Sequence, residues 1–449
     1  MNSQPLKAST VGFIALGCPK NVVDSERMLA LIAQAGFVID YDVSNADIVV
    51  INTCGFIKPA VDEAVEAINR TLADKHRGKI KKIVVAGCLP ERMKEKILER
   101  FPQIDAVVCL GARDNIVNVI ESLFSDNAPK FYSSPADWTD KAQKDADRLL
   151  INPSHWAYLR ISEGCDMSCS FCTIPAIKGR FRSKPLDDIV AEANQLAEAG
   201  VVELSIIAQD STNYGHDFGE KNGLVKVIGE LEKIGKLRWL RLMYLNPSGI
   251  SDILIETIAQ SKKVVHYIDM PMQHINNEIL KAMHRPDTHE NITVLIEKIR
   301  KAIPDIVLRT TVIVGFPGET EGQFEELVDF IKQVRFDALG CFVFWPEEDT
   351  KAAQLADQIP QQTKENRRQQ LMLVQQQMVF EKNKLRIGQV VECLVDERCS
   401  ERKAVGRCYG QAPHIDSVCF INNCADMPGS FIRARVTGFE DYDLLLKKI

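Results

Sequence analysis

The central part of this chain repeats one unit, a short apolar run followed by a helical pattern, six times between residues 151 and 350 or so. Such units, joined by right-handed crossovers, form a curved parallel sheet, and six of them fall short of the eight that close a barrel. The sequence therefore predicts an incomplete (β/α)6 barrel, whose open side admits a large substrate. The predicted strands are Trp156–Ser162, Glu203–Ala208, Trp239–Leu245, Val264–Met270, Leu308–Val314 and Ala338–Phe344. Helical patterns between them include Asp187–Glu198, Ser251–Ala259 and Phe324–Val334.

Polar residues follow several of these strands, at the edge where sheets of this kind bind their ligands. The turn Gly315–Thr320 either contacts a ligand or is only a strand-to-helix connection that Thr320 caps, and we weigh the two evenly. For His274 we favour a satisfied loop histidine over a metal ligand. The candidates at this edge are Glu163, Gln209, Asp210, Gln273, His274 and the turn with Gly315 and Gly318.

Three cysteines with the spacing C-x3-C-x2-C follow the first of these strands: Cys165, Cys169 and Cys172. Thiolates on so short a segment can hold three corners of one cubane iron–sulfur cluster and leave one iron without a protein ligand. A small molecule with an amine and a carboxylate can chelate that iron. Zinc would need a fourth ligand, and the next histidine is His216. A disulfide would leave one thiol over, so an iron–sulfur cluster is favoured.

Residues 9 to 125 alternate short apolar runs with helical patterns, as a doubly wound parallel sheet does. Its helix starts are read from cap signals such as Asp24-Ser25. The predicted strands are Val11–Leu16, Asp47–Asn52, Lys82–Ala86 and Ala106–Cys109, and the predicted helices are Ser25–Ala35, Ala60–Ala73 and Glu91–Arg100.

Each of the first three strands in this region is followed by a cysteine with a glycine next to it: Cys18, Cys54 and Cys88. Parallel strands end at one edge of a sheet, so these cysteines can meet there and hold a second cluster. The neighbouring glycines let backbone approach a bulky group closely. The alternative is that each cysteine is a small buried apolar residue. We disfavour it for three equivalent positions, but adopt it for Cys109, which lies inside its strand pattern.

The remainder predicts a linker at 126–150, a connecting helix within Ala352–Leu385 and a small all-β module. Leu371, Val374 and Met378 form the apolar stripe of the connecting helix. The module's short strands, Val390–Val395, Ala404–Cys408, Ser417–Ile421, Phe431–Val436 and Tyr442–Lys448, fit a small barrel of the oligonucleotide-binding kind. We interpret its cysteines as packing or surface thiols: Cys393, Cys399, Cys408, Cys419 and Cys424.

Composition excludes several classes of protein. The 449 residues are 45% hydrophobic and 26% charged, which is typical of a globular chain. Met1–Ala8 lacks the apolar core of a secretion signal, and no apolar run reaches membrane-spanning length, so we expect a cytoplasmic protein without membrane contact. The 13 cysteines then suggest metal ligation. No H-E-x-x-H, P-loop or G-x-G-x-x-G pattern appears. Their absence argues against a zinc hydrolase, an enzyme that uses nucleoside triphosphates and a nicotinamide-dependent enzyme.

With these motifs in place, the whole chain resembles the methylthiotransferase family of the radical S-adenosylmethionine (SAM) superfamily. The resemblance implies an N-terminal domain at 9–125, a linker at 126–150, a radical SAM core with connecting helix at 151–380 and a TRAM domain at 382–449. It implies two [4Fe-4S] clusters, with Cys18, Cys54 and Cys88 on the auxiliary one and Cys165, Cys169 and Cys172 on the SAM-binding one. It also makes Glu163, Gln209, Asp210, Gly315 and Gly318 candidates for SAM contact.

Within that family the chain is more similar to the RimO branch than to the tRNA-modifying MiaB branch. The residues that carry this choice are Ile207–Thr212, Tyr267–His274 and Gly410–Pro413. Two positions depart from the branch's pattern: His414 stands where an acidic residue is usual, and Asp349 where glycine is usual. The resemblance implies methylthiolation of an aspartate β-carbon in small-subunit ribosomal protein S-twelve, with two SAM molecules, a sulfur donor and a reductant protein. One SAM would supply the methyl group, and the other a radical that abstracts the β-hydrogen.

Charge agrees with a protein substrate. The whole chain carries a net charge of −6, and residues 382–449 hold 11 Lys and Arg against 9 Asp and Glu. Nucleic-acid affinity comes largely from phosphate contacts made by basic side chains. This balance argues against tRNA as the substrate and favours a basic protein.

Overall fold

The computed structural model describes residues 9–449. The segment 1–8, on which the prediction of an absent secretion signal rests, lies outside the described residues. The chain divides into two compact units. The first runs to Ile151 and also contains Ser162–Met167 and Cys172–Glu192, and the second contains Asn152–Ile161, Ser168–Phe171 and Ala193–Ile449.

The first unit is built on a parallel sheet of six strands in the order β2-β1-β3-β4-β5-β6, which confirms the predicted doubly wound sheet. Alternate residues of its central strand enter opposite cores: Ile48 and Val50 one, Val49 and Ile51 the other. Its strands are β1 (Thr10–Ala15), β2 (Val38–Asp40), β3 (Ile48–Thr53), β4 (Lys82–Gly87), β5 (Ala106–Val108) and β6 (Phe131–Tyr132). Its helices are α1 (Pro19–Gln34), α2 (Lys58–His76), α3 (Cys88–Met93), α4 (Lys96–Arg100) and α5 (Ile116–Ser122).

Three details of this region differ from prediction. Helix α1 begins at Pro19 instead of Ser25, because proline is well suited to the first helical position and Cys18 is the residue before it. The predicted helix Glu91–Arg100 is two short helices, interrupted where Lys94 adopts a left-handed φ of 52°. Strands β2 and β6 were not predicted, and β6 pairs with β5 from within the segment 126–150.

The second unit contains the six strands predicted for the incomplete (β/α)6 barrel, which form a parallel sheet in the order β14-β13-β12-β11-β10-β7. All six predicted strands are present within one or two residues of their predicted starts, and hydrophobic side chains from helices cover the sheet. The strands are β7 (Trp156–Arg160), β10 (Glu203–Ile207), β11 (Trp239–Leu242), β12 (Val264–Asp269), β13 (Val307–Val314) and β14 (Ala338–Val343). Along the chain between β7 and β10 come β8 (Ser162–Glu163), α6 (Ile174–Lys178), β9 (Arg182–Ser183) and α7 (Leu186–Glu198), of which the first three and the start of α7 belong to the first unit. The later helices are α8 (Gly223–Glu232), α9 (Asp252–Gln260), α10 (Asn277–Ala282), α11 (His289–Ala302) and α12 (Glu321–Val334).

The chain ends in the connecting helix α13 (Gln361–Arg386) and a closed five-stranded barrel, as the sequence predicts. Leu371 and Met378 of the predicted stripe are buried, and Val374 is half-buried. The barrel strands are β15 (Val390–Ser400), β16 (Lys403–Cys408), β17 (Cys419–Asn422), β18 (Phe431–Glu440) and β19 (Asp443–Lys448). Among residues 9–449 no helix is long and apolar enough to cross a membrane.

Within the second unit, this barrel is attached to three strands of the central sheet, β10, β11 and β12. Arg407 on β16 forms a buried ion pair with Glu203, the first residue of β10, at 2.7 Å. Arg241 on β11 forms an ion pair with the same Glu203 at 2.9 Å and donates to the Tyr409 carbonyl at 2.7 Å. Tyr267 on β12 donates to Asp416 at 2.7 Å. The end of β16 and the loop after it are therefore fastened to three neighbouring strands.

Candidate active site

The first candidate site is the carboxyl edge of the N-terminal sheet, where three cysteines are positioned by strand ends. Cys18 follows β1 and precedes α1, Cys54 follows β3, and Cys88 is the first residue of α3 directly after β4. Strands β1, β3 and β4 are adjacent in the sheet, so these three ends lie side by side. Cys54 and Cys88 are buried and Cys18 is exposed.

The glycines next to these cysteines allow the strand ends to approach closely. Gly17 has a φ of +99°, and a Cβ built on it would lie 2.8 Å from the Cβ of Cys54. A Cβ on Gly55 would lie 3.0 Å from the backbone of Cys88. The edge is thus a tight cradle that a side chain at either glycine would fill.

Asn21, on the first turns of α1, connects the three strand ends. Its side-chain nitrogen donates to the carbonyls of Leu16 at 3.2 Å and Thr53 at 2.9 Å, and its oxygen accepts from the Cys88 thiol at 3.4 Å. Sequence reasoning did not identify Asn21. The only available signal was its place three residues after Cys18, since one helical turn brings such a residue back over its starting point.

Burial and mutual proximity affect the thiols. Burial raises the pKa of Cys54, and the neighbouring Cys18 thiol raises it further. Burial raises the pKa of Cys88 to about 12, which the Lys178 ammonium opposes and the Cys54 and Cys18 thiols reinforce. The three sulfurs therefore interact with one another electrostatically, and deprotonation needs a positively charged group between them, as a metal cluster supplies.

These residues fit a cluster better than a single ion. In residues 9–449 no group of three His, Cys, Asp or Glu side chains converges to hold one metal ion. A cubane binds each cysteine at a different iron, so its ligands surround a group larger than one atom. Three thiols at the rim of a glycine-lined edge meet that requirement. Cys109 is 1% exposed, as expected for a core residue, although it directly follows β5 instead of lying inside the strand as predicted.

The second cysteine segment begins with a glycine held in a tight loop. Gly164 has a φ of +71°, and a Cβ there would lie 1.9 Å from the Arg180 carbonyl oxygen. The Cys165 amide donates to the Gly179 carbonyl at 3.2 Å, and the Cys172 sulfur accepts from the Ile174 amide at 3.4 Å. Both thiols are half-buried.

The middle of this segment, which lies in the second unit, is held by α10 and the residues after it. The Ser170 amide donates to the Met283 carbonyl at 3.0 Å, and its hydroxyl donates to the Ala282 carbonyl at 2.8 Å. The Arg285 guanidinium lies 3.9 Å from the half-buried Cys169 sulfur. Arg285, another residue that the sequence did not indicate, places a positive charge beside the sulfur of a predicted cluster ligand.

The candidates at the end of β8 and directly after β10 have well-defined partners. Asp210 is buried, which raises its pKa, and it accepts from the Thr212 hydroxyl, from Asn213 at 2.9 Å and from Asn246 at 3.4 Å. The next residue back, Gln209, is half-buried. Glu163 is buried in the first unit, 3.4 Å from Arg182, and accepts from the Gln143 amide at 3.0 Å. Asp210 thus orders a loop at the carboxyl edge of the central sheet.

The turn Gly315–Thr320 is a strand-to-helix connection that Thr320 caps, which is one of its two predicted roles. Thr320 caps α12 in a capping box with Gln323. The Glu319 carboxylate accepts from the Gly315 amide at 2.8 Å, and Arg367 lies 2.8 Å from it. A Cβ on Gly315 would lie 2.3 Å from Lys364, whereas nothing lies within 4 Å of a Cβ on Gly318.

His274 and Gln273 lie beside this turn. His274 is fully buried, its Nδ1 accepts from the Asn276 amide at 3.0 Å, and its Nε2 lies 3.7 Å from Glu319. Burial and then Arg367 lower the His274 pKa to about 3, while burial raises the Glu319 pKa to about 7 against the opposing Arg367. The ring is therefore neutral and is held at Nδ1, but its buried Nε2 has no hydrogen-bond partner among the described residues, so the prediction of a fully satisfied loop histidine holds for one ring nitrogen only. Gln273 has a φ of +70° and forms an isolated bridge to Val312.

The two departures from the RimO-like pattern have definite positions. Asp349 adopts a φ of +70°, a region in which glycine is unstrained, so the usual glycine is explained by backbone geometry. His414 also has a positive φ, of 66°. Its ring lies 5.0 Å from that of Trp156, and its Nε2 lies 3.2 Å from the Asn152 side-chain oxygen.

Comparison with known proteins agrees with this architecture. Three family models match the chain: Uncharacterized protein family UPF0004 at residues 10–109, the Radical SAM superfamily at 159–331 and the TRAM domain at 387–449. A solved radical SAM methyltransferase, TsrM from Kitasatospora setae with cobalamin and a [4Fe-4S] cluster bound, is similar with a TM-score of 0.55 at 14% identity, covering 77% of each chain. That likeness shows the fold alone. The fold and the cysteine sites together define a radical SAM protein.

Two curated relatives show to which family within the radical SAM proteins the chain belongs. The ribosomal protein uS12 methylthiotransferase RimO of Symbiobacterium thermophilum is 42% identical over 440 residues, which cover 97% of this chain and 90% of the relative. The protein of the same name from Clostridioides difficile is 40% identical over 432 residues, 96% of this chain and 97% of the relative. The chain therefore belongs to the RimO family of radical SAM methylthiotransferases. The predicted family and its RimO branch are confirmed, and the MiaB alternative is not favoured.

Proposed function

We propose that this chain transfers a methylthio group to the β-carbon of an aspartate in ribosomal protein uS12, the S-twelve protein of the sequence analysis. The reaction uses two SAM molecules and a sulfur donor. The observation that carries the proposal is the presence, on one chain of this family, of two separate sets of three cysteines, each at a glycine-bounded strand end. Two sets permit two tasks, activation of SAM and delivery of sulfur.

The ligand sets are proposed residue by residue. Cys18, Cys54 and Cys88 hold the auxiliary [4Fe-4S] cluster, and Cys165, Cys169 and Cys172 hold the SAM-binding one. When bound, these clusters supply reductive cleavage of SAM and a place for the transferred sulfur, chemistry that side chains lack. The chain's own part is to order the ligands and to supply positive charge. Asn21 orients Cys88, and Arg285 lies by Cys169.

SAM contact is proposed at the carboxyl edge of the central sheet. Gln209 and Asp210 follow β10 there, and Gly318 leaves open space where a side chain would stand. Glu163 and Gly315 are also proposed to contact SAM, and each has a structural role as well. Glu163 accepts a hydrogen bond from the Gln143 amide, and a side chain at position 315 would collide with Lys364. The domain limits 9–125, 126–150, 151–380 and 382–449 are part of the same proposal.

The partners follow from charge and chemistry. An acidic chain of net charge −6 suits a basic ribosomal protein better than the phosphates of tRNA. A reductant protein and a sulfur donor are required and are not identified by any residue of the chain. A ribosomal substrate also supports the proposal that the enzyme is cytoplasmic and does not bind membranes.

Iron content tests the two ligand sets. Anaerobically reconstituted protein should hold about eight irons, and replacement of either cysteine trio by alanine should remove about half of them. Cys109→Ala is the matched control, because this buried cysteine lies outside both sets, and it should retain the full content. Full iron content and visible absorption after replacement of Cys18, Cys54 and Cys88 would contradict the auxiliary site.

Catalysis distinguishes the enzyme from an iron–sulfur electron carrier. Reduced protein given SAM should release 5′-deoxyadenosine, and Cys169→Ala should abolish the release while the other cluster remains. Mass spectrometry of ribosomal proteins and tRNA from cells with and without the gene then identifies the substrate. Loss of a methylthio group from a uS12 aspartate supports the proposal. Loss of methylthio-adenosine from tRNA would move the chain to the MiaB reaction.

A further inference from the structure

A line of buried charges of alternating sign runs through the first unit. Neighbouring charged atoms in it are 2.7 to 3.3 Å apart, and each side chain in it is at most 4% exposed. The order along the line is Lys178, Asp24, Arg113, Asp145, Lys184, Glu192, Arg148 and Glu26. Its positive end is Lys178.

The positive end lies at the cysteine edge. Ile177, the residue before Lys178, packs in one apolar cluster with Cys88. Asp24, which contacts Lys178 at 3.3 Å, is on α1 three residues after Asn21, whose oxygen contacts the Cys88 thiol at 3.4 Å. Residues three apart share a helix face, so Asp24 and Asn21 point the same way. Helix α6, which ends at Lys178, also packs against α3, which begins at Cys88.

Burial of the ion pair between Lys178 and Asp24 costs free energy, so we expect its charges to have a function. Taking two charges out of water is expensive, and a buried pair is weak grounds for stability by itself. Lys178 and Asp24 are 3% and 2% exposed, and an apolar side chain would fill the same space. In the low dielectric of a buried edge, a fixed charge acts strongly on any group that changes its own charge nearby.

We infer that Lys178 and Asp24 set the reduction potential of the auxiliary cluster, Lys178 raising it and Asp24 lowering it. The inference rests on the proposed function, because it requires Cys18, Cys54 and Cys88 to hold that cluster. Reduction adds one electron from the reductant to the cluster and therefore one negative charge. A nearby cation stabilises that charge and a nearby anion destabilises it, and net charge around a cluster is one of the factors that set its potential.

The test uses full-length protein in which Cys165, Cys169 and Cys172 are all replaced by alanine, so that one cluster remains. Its potential is measured by titration with dithionite, with the reduced cluster observed by electron paramagnetic resonance. Lys178→Met should make reduction at least tenfold less favourable, a shift of about 59 mV to more negative potential for one electron. Asp24→Asn should shift the potential in the opposite direction.

Two controls separate charge from structure. Lys178→Arg keeps the cation and should keep the potential of the parent. Ile177→Val changes contacts with Cys88 without changing charge and should do the same. A damaged fold would lower iron content in all variants, whereas the charge effect moves the potential in opposite directions at about four irons per chain.

Each outcome decides one of the two claims. If the parent with its three alanines binds no cluster, the proposed ligand set fails. If it binds one, and Lys178→Met and Asp24→Asn leave the potential unchanged or shift it the same way, the inference about the charges is overturned. If Lys178→Met cannot bind iron, Asp24→Asn alone decides, and a potential that does not rise overturns the inference.

Discussion

Glu203 and Arg407 form a buried ion pair at 2.7 Å that joins the first residue of β10 to the C-terminal barrel. Both side chains are at most 3% exposed. Glu203 also binds Arg241 at 2.9 Å, and Arg407 also binds Asp396 at 2.8 Å. The pair is therefore the centre of a network in which removal of one member leaves charged partners buried.

Replacement of this arginine should be strongly destabilising. Arg407→Met leaves Glu203 and Asp396 without one of their cations, and breaking a buried pair in this way costs about 3–5 kcal/mol. Urea unfolding measures the change. Arg433→Met, at an exposed position of the same barrel, should stay within about 0.5 kcal/mol of the parent. Equal stability of the two variants would show that the network does not hold the barrel.

The stability of the protein should fall as pH rises through neutrality, in part because of Glu26. Burial raises the pKa of Glu26 from 4.5 to about 7, chiefly against the opposing charge of Arg148. The folded protein thus binds this proton more tightly than the unfolded chain does. The stabilisation is complete below pH 4.5 and is lost as pH rises through about 7, by up to about 3 kcal/mol. Glu26→Gln should flatten the fall in urea-unfolding free energy over that range, and an unchanged slope would contradict the assignment.

Replacement of Asp349 by the glycine that is usual at this position should stabilise the protein. Its φ of +70° strains an aspartate but not a glycine, so Asp349→Gly should raise the free energy of unfolding by about 0.5 kcal/mol. Glu348→Gly, at the exposed neighbouring position without a positive φ, should lower it by about 0.5–1 kcal/mol. Thermal unfolding of both variants checks the sign. A loss of stability at both positions would refute the backbone explanation of the usual glycine.

Thiol labelling should sort the cysteines of the C-terminal barrel by burial. Cys399 is exposed, whereas Cys393, Cys408 and Cys419 are at most 1% exposed. A hydrogen bond with Cys419 is the main cause that raises the pKa of Cys408, and a hydrogen bond with Cys393 is the main cause that raises the pKa of Cys419, with burial raising both further. Iodoacetamide should label Cys399 in the folded protein and the other three only after denaturation, as peptide mass spectrometry would show. Equal labelling before denaturation would mean that the barrel opens readily.

Sequence patterns predicted the sheets better than the helix starts. Apolar runs between turn signals identified every strand of the central sheet, because a parallel strand buried on both faces reads as a continuous apolar run. Strands β2 and β6, with three and two residues, are too short for such a pattern. The start of α1 was wrong because Asp24 resembles a cap, whereas it is a buried partner of Arg113 and Lys178 inside the helix.

The residues of the candidate site also fall into two groups, those that the sequence predicted and those that it could not predict. Cysteine spacing and strand ends are local features, so both trios could be proposed from sequence. Partners that are distant in the chain could not. Asp24 and Arg113 are separated by 89 positions, and nothing in either local sequence indicates the other. Arg285 lies 116 positions from Cys169 and was missed for the same reason.

The attachment of the C-terminal barrel has a consequence for exchanging domains between relatives. The barrel contacts Glu203, Arg241 and Tyr267 on β10, β11 and β12, and all three side chains are fully buried. The turn at Gly315 follows a different strand, β13. We therefore expect that a barrel taken from a relative is accepted only where these three buried partners are kept.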